Sequence, residues 1–162
     1  GWLGHIKPVD FEVKYQPAND INKFICGTPP IIAYKAIESG LEIFKYLSII
    51  EIREKSIKLS EMFIQLMQQE CTEFGFTLFS PKNSEQRGSQ ISFLHENAYS
   101  IIQALISHGI IGDYREPNVM RFGISPLYMR FEDVWNAITC LREIMQTGQW
   151  QSEKFKNKNY VT

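Results

Sequence analysis

Arg121 is the residue whose setting most clearly calls for chemistry, because it stands in an otherwise apolar stretch that runs from Val119 to Tyr128. The alternation of apolar side chains around it predicts a strand, with the guanidinium among residues that normally pack in a core. A desolvated guanidinium is costly unless an anion meets it. We therefore expect a carboxylate at Arg121, either from the protein as a structural ion pair or from a ligand. The residues alone leave both open.

A second candidate is Thr28, which follows Gly27 and precedes Pro29 and Pro30 at the start of a predicted helix. A hydroxyl, a flexible backbone and the positive end of a helix dipole together suit a phosphoryl group. The two prolines weaken this hypothesis because they remove two amides that usually face an anion. The commoner alternative is that Thr28 is the N-cap, with Pro29 at the first helical position.

Trp2 is a third candidate, since it lies between Gly1 and Gly4. Its indole N–H needs a partner if buried, and the neighbouring glycines let a backbone or a ligand approach closely. A core tryptophan is the commoner explanation for such a residue. The sequence does not choose between a core position and a ligand contact.

No metal site or nucleophile is indicated by the residue pattern. His5, His95 and His108 fall in different predicted elements, without a cysteine or carboxylate at ligand spacing. A Gly-x-Ser-x-Gly elbow is missing from the sequence, and the cysteines lack the basic neighbours that lower a thiol pKa. We therefore expect neither metal chemistry nor a serine or cysteine nucleophile.

The composition describes a globular chain without a strong electrostatic partner. Its 162 residues suffice for one substantial core, and the formal net charge of −1 comes with no long basic run, which argues against nucleic acid or a membrane surface. The three cysteines, odd in number and far apart, indicate free thiols in a reducing compartment. With no signal peptide and no apolar run of about 20 residues, the cytoplasm is the expected location.

The hydrophobic periods predict the order helix, long helix, strand, strand, helix, strand, strand, helix. The predicted elements are a helix from Pro29 to about Leu47, a long helix Ile49–Glu73, strands Phe76–Phe79 and Gln90–Leu94, a helix Ala98–Ile106, strands Ile110–Tyr114 and Val119–Ile124, and a helix Phe131–Met145 that ends near Gly148. A strand–helix–strand crossover in such a chain predicts a two-layer α+β domain: a small sheet of about four strands with helices on one side, preceded by a long bracing helix.

Several groups of residues, taken together in this order and spacing, resemble kynureninase over nearly the whole chain up to about Thr147. They are Gly1-Trp2-Leu3-Gly4-His5, Cys26-Gly27-Thr28-Pro29-Pro30-Ile31, Leu41-Glu42-Ile43-Phe44, Arg87-Gly88-Ser89-Gln90, and Asn118-Val119-Met120-Arg121 running into Ser125-Pro126-Leu127-Tyr128. The Gly-Thr-Pro group by itself would indicate only the wider class V aminotransferase group of fold type I pyridoxal phosphate enzymes.

The resemblance implies an activity and a role for each candidate residue. Enzymes of this family hydrolyse the Cβ–Cγ bond of L-kynurenine to anthranilate and L-alanine, with pyridoxal 5'-phosphate as the electron sink. It implies that Trp2 contacts the cofactor phosphate, that Thr28 reaches the same phosphate, commonly from the neighbouring subunit of a homodimer, and that Arg121 holds the substrate α-carboxylate. It also implies a place in tryptophan catabolism, on the kynurenine pathway to NAD. The preference between kynurenine and 3-hydroxykynurenine stays open.

One departure from the family pattern limits what the chain is expected to do. The family's Schiff-base lysine and the aspartate facing the pyridine nitrogen precede the Gly-Trp group and are absent here, and Lys7 does not match the setting of that lysine. We therefore expect the C-terminal portion of the enzyme, inactive alone and with no catalytic residue of its own. Residues 1–27 would end a large domain or linker, 28–148 would form the small domain with its connecting helices, and 149–162 would be a polar tail, frayed or docked through Trp150 and Phe155.

Two alternatives to this interpretation remain. The chain could be the small domain of another class V enzyme, an aminotransferase or a cysteine desulfurase, although Gly-Trp-x-Gly-His and Gly-Thr-Pro-Pro occurring together disfavour this. It could also be a non-catalytic α+β module that binds an amino acid through a strand arginine. Such modules usually begin with a strand and often repeat, whereas this chain opens with a loop and two helices.

Overall fold

The computed structural model describes residues 2–157, so Gly1 of the first group of motif residues and the end of the predicted tail, 158–162, lie outside the described residues. The chain divides into two compact units, Gly1–Ser48 and Ile49–Thr162. The predicted domain boundaries at residues 28 and 149 refer to the domains of a longer protein and not to these two units. They therefore stay a prediction. Among residues 2–157, none of the helices combines the length and the apolar character that a membrane span requires.

The first unit consists of short turns followed by one α-helix. Its 3-10 turns are Trp2–Gly4 and Ile21–Phe24, helix α1 spans Ile31–Leu41, and another 3-10 turn covers Glu42–Lys45. The N-cap of α1 is Pro30, which has an extended backbone and makes no side-chain cap. The prediction that Thr28 caps this helix is therefore wrong. The helical region is disfavoured for a residue that precedes a proline, as Pro29 precedes Pro30, and the helix begins after both prolines.

Helix α1 has the predicted apolar period but none of its residues is buried. Ile32 and Ile37 are both exposed. The period therefore identified the helix correctly, while the described residues provide no core for its apolar side chains. The sequence also predicted a continuous helix to Leu47, but the α-helical part ends at Leu41.

The second unit is an α+β fold, as the sequence predicted. Its elements are α2 (Ile49–Glu70), β1 (Thr77–Leu78), β2 (Gln90–Leu94), α3 (Ala98–Ser107), β3 (Asp113–Arg115), β4 (Val119–Gly123) and α4 (Phe131–Thr147). The sheet has four strands in the order β1-β2-β4-β3, and each neighbouring pair is antiparallel. Strands β2 and β3 both run antiparallel to β4, so they are parallel to each other and α3 forms the predicted crossover between them.

Strand register separates a helix-covered face of the sheet from an open face. On the covered face Ile91 lies opposite Phe122, and Phe93 lies opposite Met120. Phe63 of α2 packs against this face, with its ring 5.0 Å from that of Phe122. Tyr99 of α3 meets Tyr114 of β3 edge to face, and α4 packs against α2 and α3. Burying these aromatic and branched side chains stabilises the unit, because each contributes roughly 1.5–3 kcal/mol of transfer free energy.

Two predicted boundaries differ from the structure for local reasons. Helix α2 ends at Glu70, three residues before the predicted end, because a 3-10 turn over Thr72–Phe74 and the left-handed Gly75 reverse the chain. Strand β3 begins at Asp113 and not at Ile110. The Ile110 N–H donates to the Leu105 carbonyl at the end of α3, so this amide is used by the helix and not by the sheet.

The segment after α4 is docked as far as the structure describes it. Gly148 adopts a left-handed conformation that ends α4, and two short 3-10 turns follow, Gln149–Gln151 and Glu153–Phe155. Phe155 is buried in the core, and the Tyr99 hydroxyl donates to the Asn157 carbonyl over 2.9 Å. Of the two predicted alternatives for the tail, docking is therefore the one observed up to residue 157.

Candidate functional site

Arg121 lies in the middle of β4 and points to the open face of the sheet. Its neighbours Met120 and Phe122 are buried against the helices, so the alternation of the strand places Arg121 on the opposite side. The strand prediction is confirmed, but the expectation that the guanidinium lies within the core is wrong. Its side chain keeps 29% of its accessible surface. The side chain is therefore desolvated in part, yet open to an anion that approaches the sheet.

The carboxylate expected at Arg121 is provided by the protein itself. Asp113 of β3 lies directly opposite Arg121 in the register, and Arg121 Nη2 donates to Asp113 Oδ2. The same oxygen lies 3.3 Å from Nη2 of Arg115. Asp113 and Arg115 were not among the predicted site residues, because periodicity does not reveal the register between two strands. We call Asp113, Arg115 and Arg121 the open-face cluster.

The open-face cluster carries an excess of positive charge. Two guanidiniums share one carboxylate, which leaves one positive charge uncompensated among these three side chains. The Nε atom of Arg121 is buried and has no partner among the described residues. A ligand therefore meets the guanidinium through its outer nitrogens, Nη1 and Nη2. Planar, two-point recognition of a carboxylate is the chemistry for which this edge of an arginine is suited.

The strand beside Arg121 presents polar groups that are already paired. Ser92 of β2 lies opposite Arg121 on the side away from Asp113, and it is almost fully buried. The Ser92 amide donates to Ser80 Oγ over 2.8 Å, and Gln90 Nε2 donates to Ser92 Oγ over 3.3 Å. These bonds satisfy the buried serine, so Arg121 is not needed as its partner.

Two cations of the second unit hold the loop that leads into β2. The Arg87 side chain is 2% exposed; it donates to the carbonyls of Pro81 and Lys82 and, over 3.3 Å, to Ser60 Oγ. Arg53 of α2 donates to the Arg87 carbonyl over 3.1 Å. The Arg87-Gly88-Ser89-Gln90 group contributed to the resemblance without an assigned role. In the structure Arg87 anchors a loop to α2, which fixes the start of β2.

A third cation, Lys55, ties α2 to the segment that follows β4. Its Nζ donates to the Pro126 carbonyl over 2.7 Å. Pro126 belongs to the Ser125-Pro126-Leu127-Tyr128 group, five residues beyond Arg121. Helix α2 thus contacts the loop before β2 through Arg53 and the segment after β4 through Lys55, and β2 and β4 are the two central strands of the sheet. This is the bracing role that the sequence predicted for the long helix.

His95, for which the sequence indicated no role, is buried between the end of β2 and the start of α3, beside the 3-10 turn Thr72–Phe74. The Asn97 amide donates to its Nδ1 over 3.0 Å, so that nitrogen carries no proton, and Nε2 donates to the Phe74 carbonyl over 3.0 Å. Burial lowers the pKa of His95 below its usual value, against a smaller opposing effect of the bond to Phe74 and the charge of Glu96. The neutral imidazole is a structural link.

In the first unit Trp2 is exposed and not part of a core. Its side chain is 52% exposed and stacks on Phe11 with ring centroids 6.1 Å apart. A cavity of about 210 Å³ is lined by Trp2 together with His5, Lys7 and Tyr15. The expectation of a core tryptophan is therefore not met within the described residues, and the indole N–H makes no hydrogen bond there.

Gly4 and His5 hold the backbone on which Trp2 is presented. A Cβ on Gly4 would lie 2.5 Å from the Lys23 carbonyl oxygen, so only glycine fits this approach. His5 is buried, accepts from the Lys7 amide at Nδ1 over 2.9 Å, and lies 3.3 Å from the Lys14 carbonyl through Nε2. The Gly-Trp-x-Gly-His spacing thus combines one exposed aromatic side chain with two residues that fix its loop.

Thr28 is exposed in the loop before α1, and its hydroxyl makes no hydrogen bond to any described residue. Trp2 and Thr28 belong to the first unit, whereas Arg121 belongs to the second. The structure therefore brings Arg121 together with Asp113 and Arg115, which were not among the predicted site residues. It leaves the predicted roles of Trp2 and Thr28 as predictions.

Metal and thiol chemistry find no support in the part of the chain that the structure describes. Among residues 2–157 no group of three or more histidine, cysteine or acidic side chains is placed to hold a metal ion. All three cysteines are free. Burial raises the pKa of the Cys71 thiol to about 11 and also raises the pKa of Cys140. Both thiols therefore stay protonated at neutral pH and are poor nucleophiles.

Comparison with known proteins identifies relatives for the whole chain. The family model described as the kynureninase C-terminal domain matches residues 52–141. Kynureninases of Pseudomonas fluorescens and of Burkholderia mallei (strain SAVP1) are each 42% identical over 162 residues, which is 100% of this chain and 39% of each relative. The chain thus spans about two-fifths of the length of these curated relatives.

A likeness to a solved structure supports the fold. A protein titled NifS-like protein superposes with a TM-score of 0.56 at 16% sequence identity, covering 78% of this chain and 37% of that one. At this level of identity the likeness concerns the fold and carries no information about activity.

Proposed function

This chain belongs to the kynureninase family, and on that premise we propose that it is the C-terminal two-fifths of a kynureninase. The proposed enzyme hydrolyses the Cβ–Cγ bond of L-kynurenine to anthranilate and L-alanine. The observation that carries the proposal is the 42% identity over all 162 residues, which includes both units of the fold. The reaction places the enzyme in tryptophan catabolism, and the cytoplasm is the proposed location.

Within this enzyme Arg121 binds the α-carboxylate of the substrate. Its position on the open face, its partial exposure and the excess positive charge of the open-face cluster support this role. The two-point contact orients the amino acid, and orientation of the reacting bond is itself a large part of catalysis. The ion pair with Asp113 does not oppose the proposal, since it holds the guanidinium in place before a ligand arrives.

Trp2 and Thr28 are proposed to hold the phosphate of pyridoxal 5'-phosphate. Both present a donor, an indole N–H and a hydroxyl, that is exposed and unused within residues 2–157. Donors of this kind fit a phosphate oxygen. When bound, the cofactor supplies the electron sink for cleavage of the Cβ–Cγ bond of the substrate.

The proposed enzyme is a homodimer in which Thr28 reaches the phosphate of the neighbouring subunit. Helix α1, which follows Thr28, has no buried residue although its sequence is rich in apolar side chains. An exposed apolar surface of this kind usually marks an interface. The proposal therefore places this part of the first unit near a subunit contact.

The chain by itself is proposed to be inactive, because none of its residues matches the lysine that holds the cofactor in this family. The test compares the full-length protein with the 162-residue chain, each incubated with pyridoxal 5'-phosphate and L-kynurenine, and follows anthranilate fluorescence. We expect product from the full-length protein and none from the chain. Lack of product from the full-length protein would overturn the proposed activity, and product from the chain would overturn its inactivity.

A further inference from the structure

We propose that Arg115 is a positioning residue of the carboxylate site, which neutralises Asp113 so that Arg121 can accept a ligand carboxylate. This inference rests on the proposed function of Arg121 and deepens it. It assigns a role in substrate binding to two residues, Asp113 and Arg115, that the sequence did not single out.

The geometry that supports this role is the shared register of β3 and β4. Asp113 pairs with Arg121, and Arg115 pairs with Val119, two residues before Arg121. Side chains two residues apart on a strand lie on the same face, so Asp113, Arg115 and Arg121 all project from the open face. One oxygen, Asp113 Oδ2, serves both guanidiniums, directly to Arg121 and at 3.3 Å from Arg115.

The need for a second cation follows from which nitrogens of Arg121 are accessible. Its Nε is buried, so a carboxylate ligand is left with the edge formed by Nη1 and Nη2. Nη2 is the atom that already donates to Asp113. A ligand on that edge therefore shares a nitrogen with a resident carboxylate and brings two negative charges close together. Like charges in such a site oppose binding unless another cation balances one of them.

Arg115, whose Nη2 lies 3.3 Å from Asp113 Oδ2, is a second cation that can provide this balance. It is 60% exposed, whereas Asp113 and Arg121 retain 34% and 29% of their side-chain surface. An exposed guanidinium on a long side chain can follow a small movement of the carboxylate. In the proposed role, the Asp113 carboxylate moves toward the exposed Arg115 when the ligand carboxylate binds the guanidinium of Arg121.

A plain surface ion pair between Arg115 and Asp113 is the competing explanation, and it makes a different prediction. Exposed ion pairs contribute little to stability, so loss of Arg115 would then change neither folding nor substrate binding. In the proposed role, loss of Arg115 leaves folding intact but removes one of the two guanidiniums that contact Asp113. Substrate binding then weakens while the chemical step is unaffected.

The experiment uses the full-length enzyme and measures KM and kcat for L-kynurenine in Arg115→Gln, Arg115→Lys and Lys58→Gln. Lys58 is an exposed lysine of α2 and controls for the loss of one positive charge. We expect Arg115→Gln to raise KM roughly two- to fivefold with kcat unchanged, the range expected for an ion pair at a partly exposed site. Arg115→Lys, which keeps the charge, should stay near the wild-type KM, and so should Lys58→Gln.

A double-mutant cycle with Asp113→Asn separates positioning from general electrostatic attraction. Without the charge of Asp113 there is nothing to neutralise, so Arg115→Gln should change KM in this background no more than Lys58→Gln does. An equal effect of Arg115→Gln in both backgrounds, or no effect in either, would overturn the inference. Failure of the proposed function looks different: the wild-type enzyme would release no anthranilate, or Arg121→Ala would leave KM unchanged.

Discussion

Arg121 of β4 and Asp113 of β3 are direct cross-strand partners, and their side chains form an ion pair on the open face of the sheet. The protein therefore already holds a carboxylate where a carboxylate ligand is proposed to bind. The guanidinium is oriented before a ligand arrives, and oriented donors lose less conformational entropy on binding. The consequences of this arrangement can be tested by substitution.

Arg121→Ala in the full-length enzyme is expected to raise KM for L-kynurenine by about one to two orders of magnitude. A charge-assisted two-point contact is worth roughly 1.5–3 kcal/mol, which corresponds to that range. Arg121→Lys should recover part of the loss, because lysine keeps the charge but lacks the planar fork. Steady-state kinetics measure both values. An unchanged KM together with a much lower melting temperature would instead identify the pair with Asp113 as purely structural.

Thr28→Ala is expected to weaken retention of pyridoxal 5'-phosphate by about tenfold or more, since a hydrogen bond to a charged group contributes roughly 1.5–3 kcal/mol. Folding stability should not change, because the hydroxyl is exposed and makes no bond within the described residues. The measurement is the cofactor Kd of the full-length protein by equilibrium dialysis. Thr77→Ala, an exposed threonine of β1, serves as the matched control. A cofactor Kd equal to that of the control would count against the phosphate role.

Gly4→Ala is expected to destabilise the first unit by on the order of 1–3 kcal/mol, the usual cost of overpacking. The added Cβ would meet the backbone carbonyl of Lys23, which cannot move aside as a side chain does. Gly40→Ala is the matched control: it lies in α1 with open space around its Cα, and alanine favours a helix by about 1 kcal/mol over glycine. Urea denaturation followed by Trp2 fluorescence, in a background that carries Trp135→Phe and Trp150→Phe, should shift in opposite directions for the two variants. Equal shifts would show that the contact with Lys23 is not a constraint.

The second unit is expected to lose stability as the pH falls below about 6.5, with His95 as the cause. Burial lowers the pKa of His95 in the folded chain relative to 6.5, so between these two values the unfolded chain binds more protons than the folded one. The stabilisation is therefore complete above 6.5 and is lost as the pH falls toward the folded pKa. Thermal melts at a series of pH values should show this slope in the wild type. His95→Asn should flatten it, and an unchanged slope in that variant would assign the titration to another group.

The sequence predicted the elements of the second unit well, because hydrophobic period is a local property. The alternation around Arg121 identified β4, and Gln90–Leu94 is the strand that was predicted. The predicted starts of β3 and α1 were wrong, because the backbone at each start has a local constraint that hydrophobic period does not reveal. The Ile110 amide bonds to the end of α3 and shifts the start of β3 to Asp113, while Pro30 delays the start of α1 and excludes Thr28 from the cap.

Of the candidate site, the sequence by itself determined that Arg121 is a guanidinium on a strand and needs an anion. It did not determine which anion, or that the side chain lies on the open face. Those facts depend on the register of β3 against β4, which places Asp113 opposite Arg121. Register is fixed by packing of the covered face on α2 and α3, where a shift of one residue would expose every buried side chain of the strand. Only the tertiary structure therefore decided that Arg121 and Arg115 share the carboxylate of Asp113.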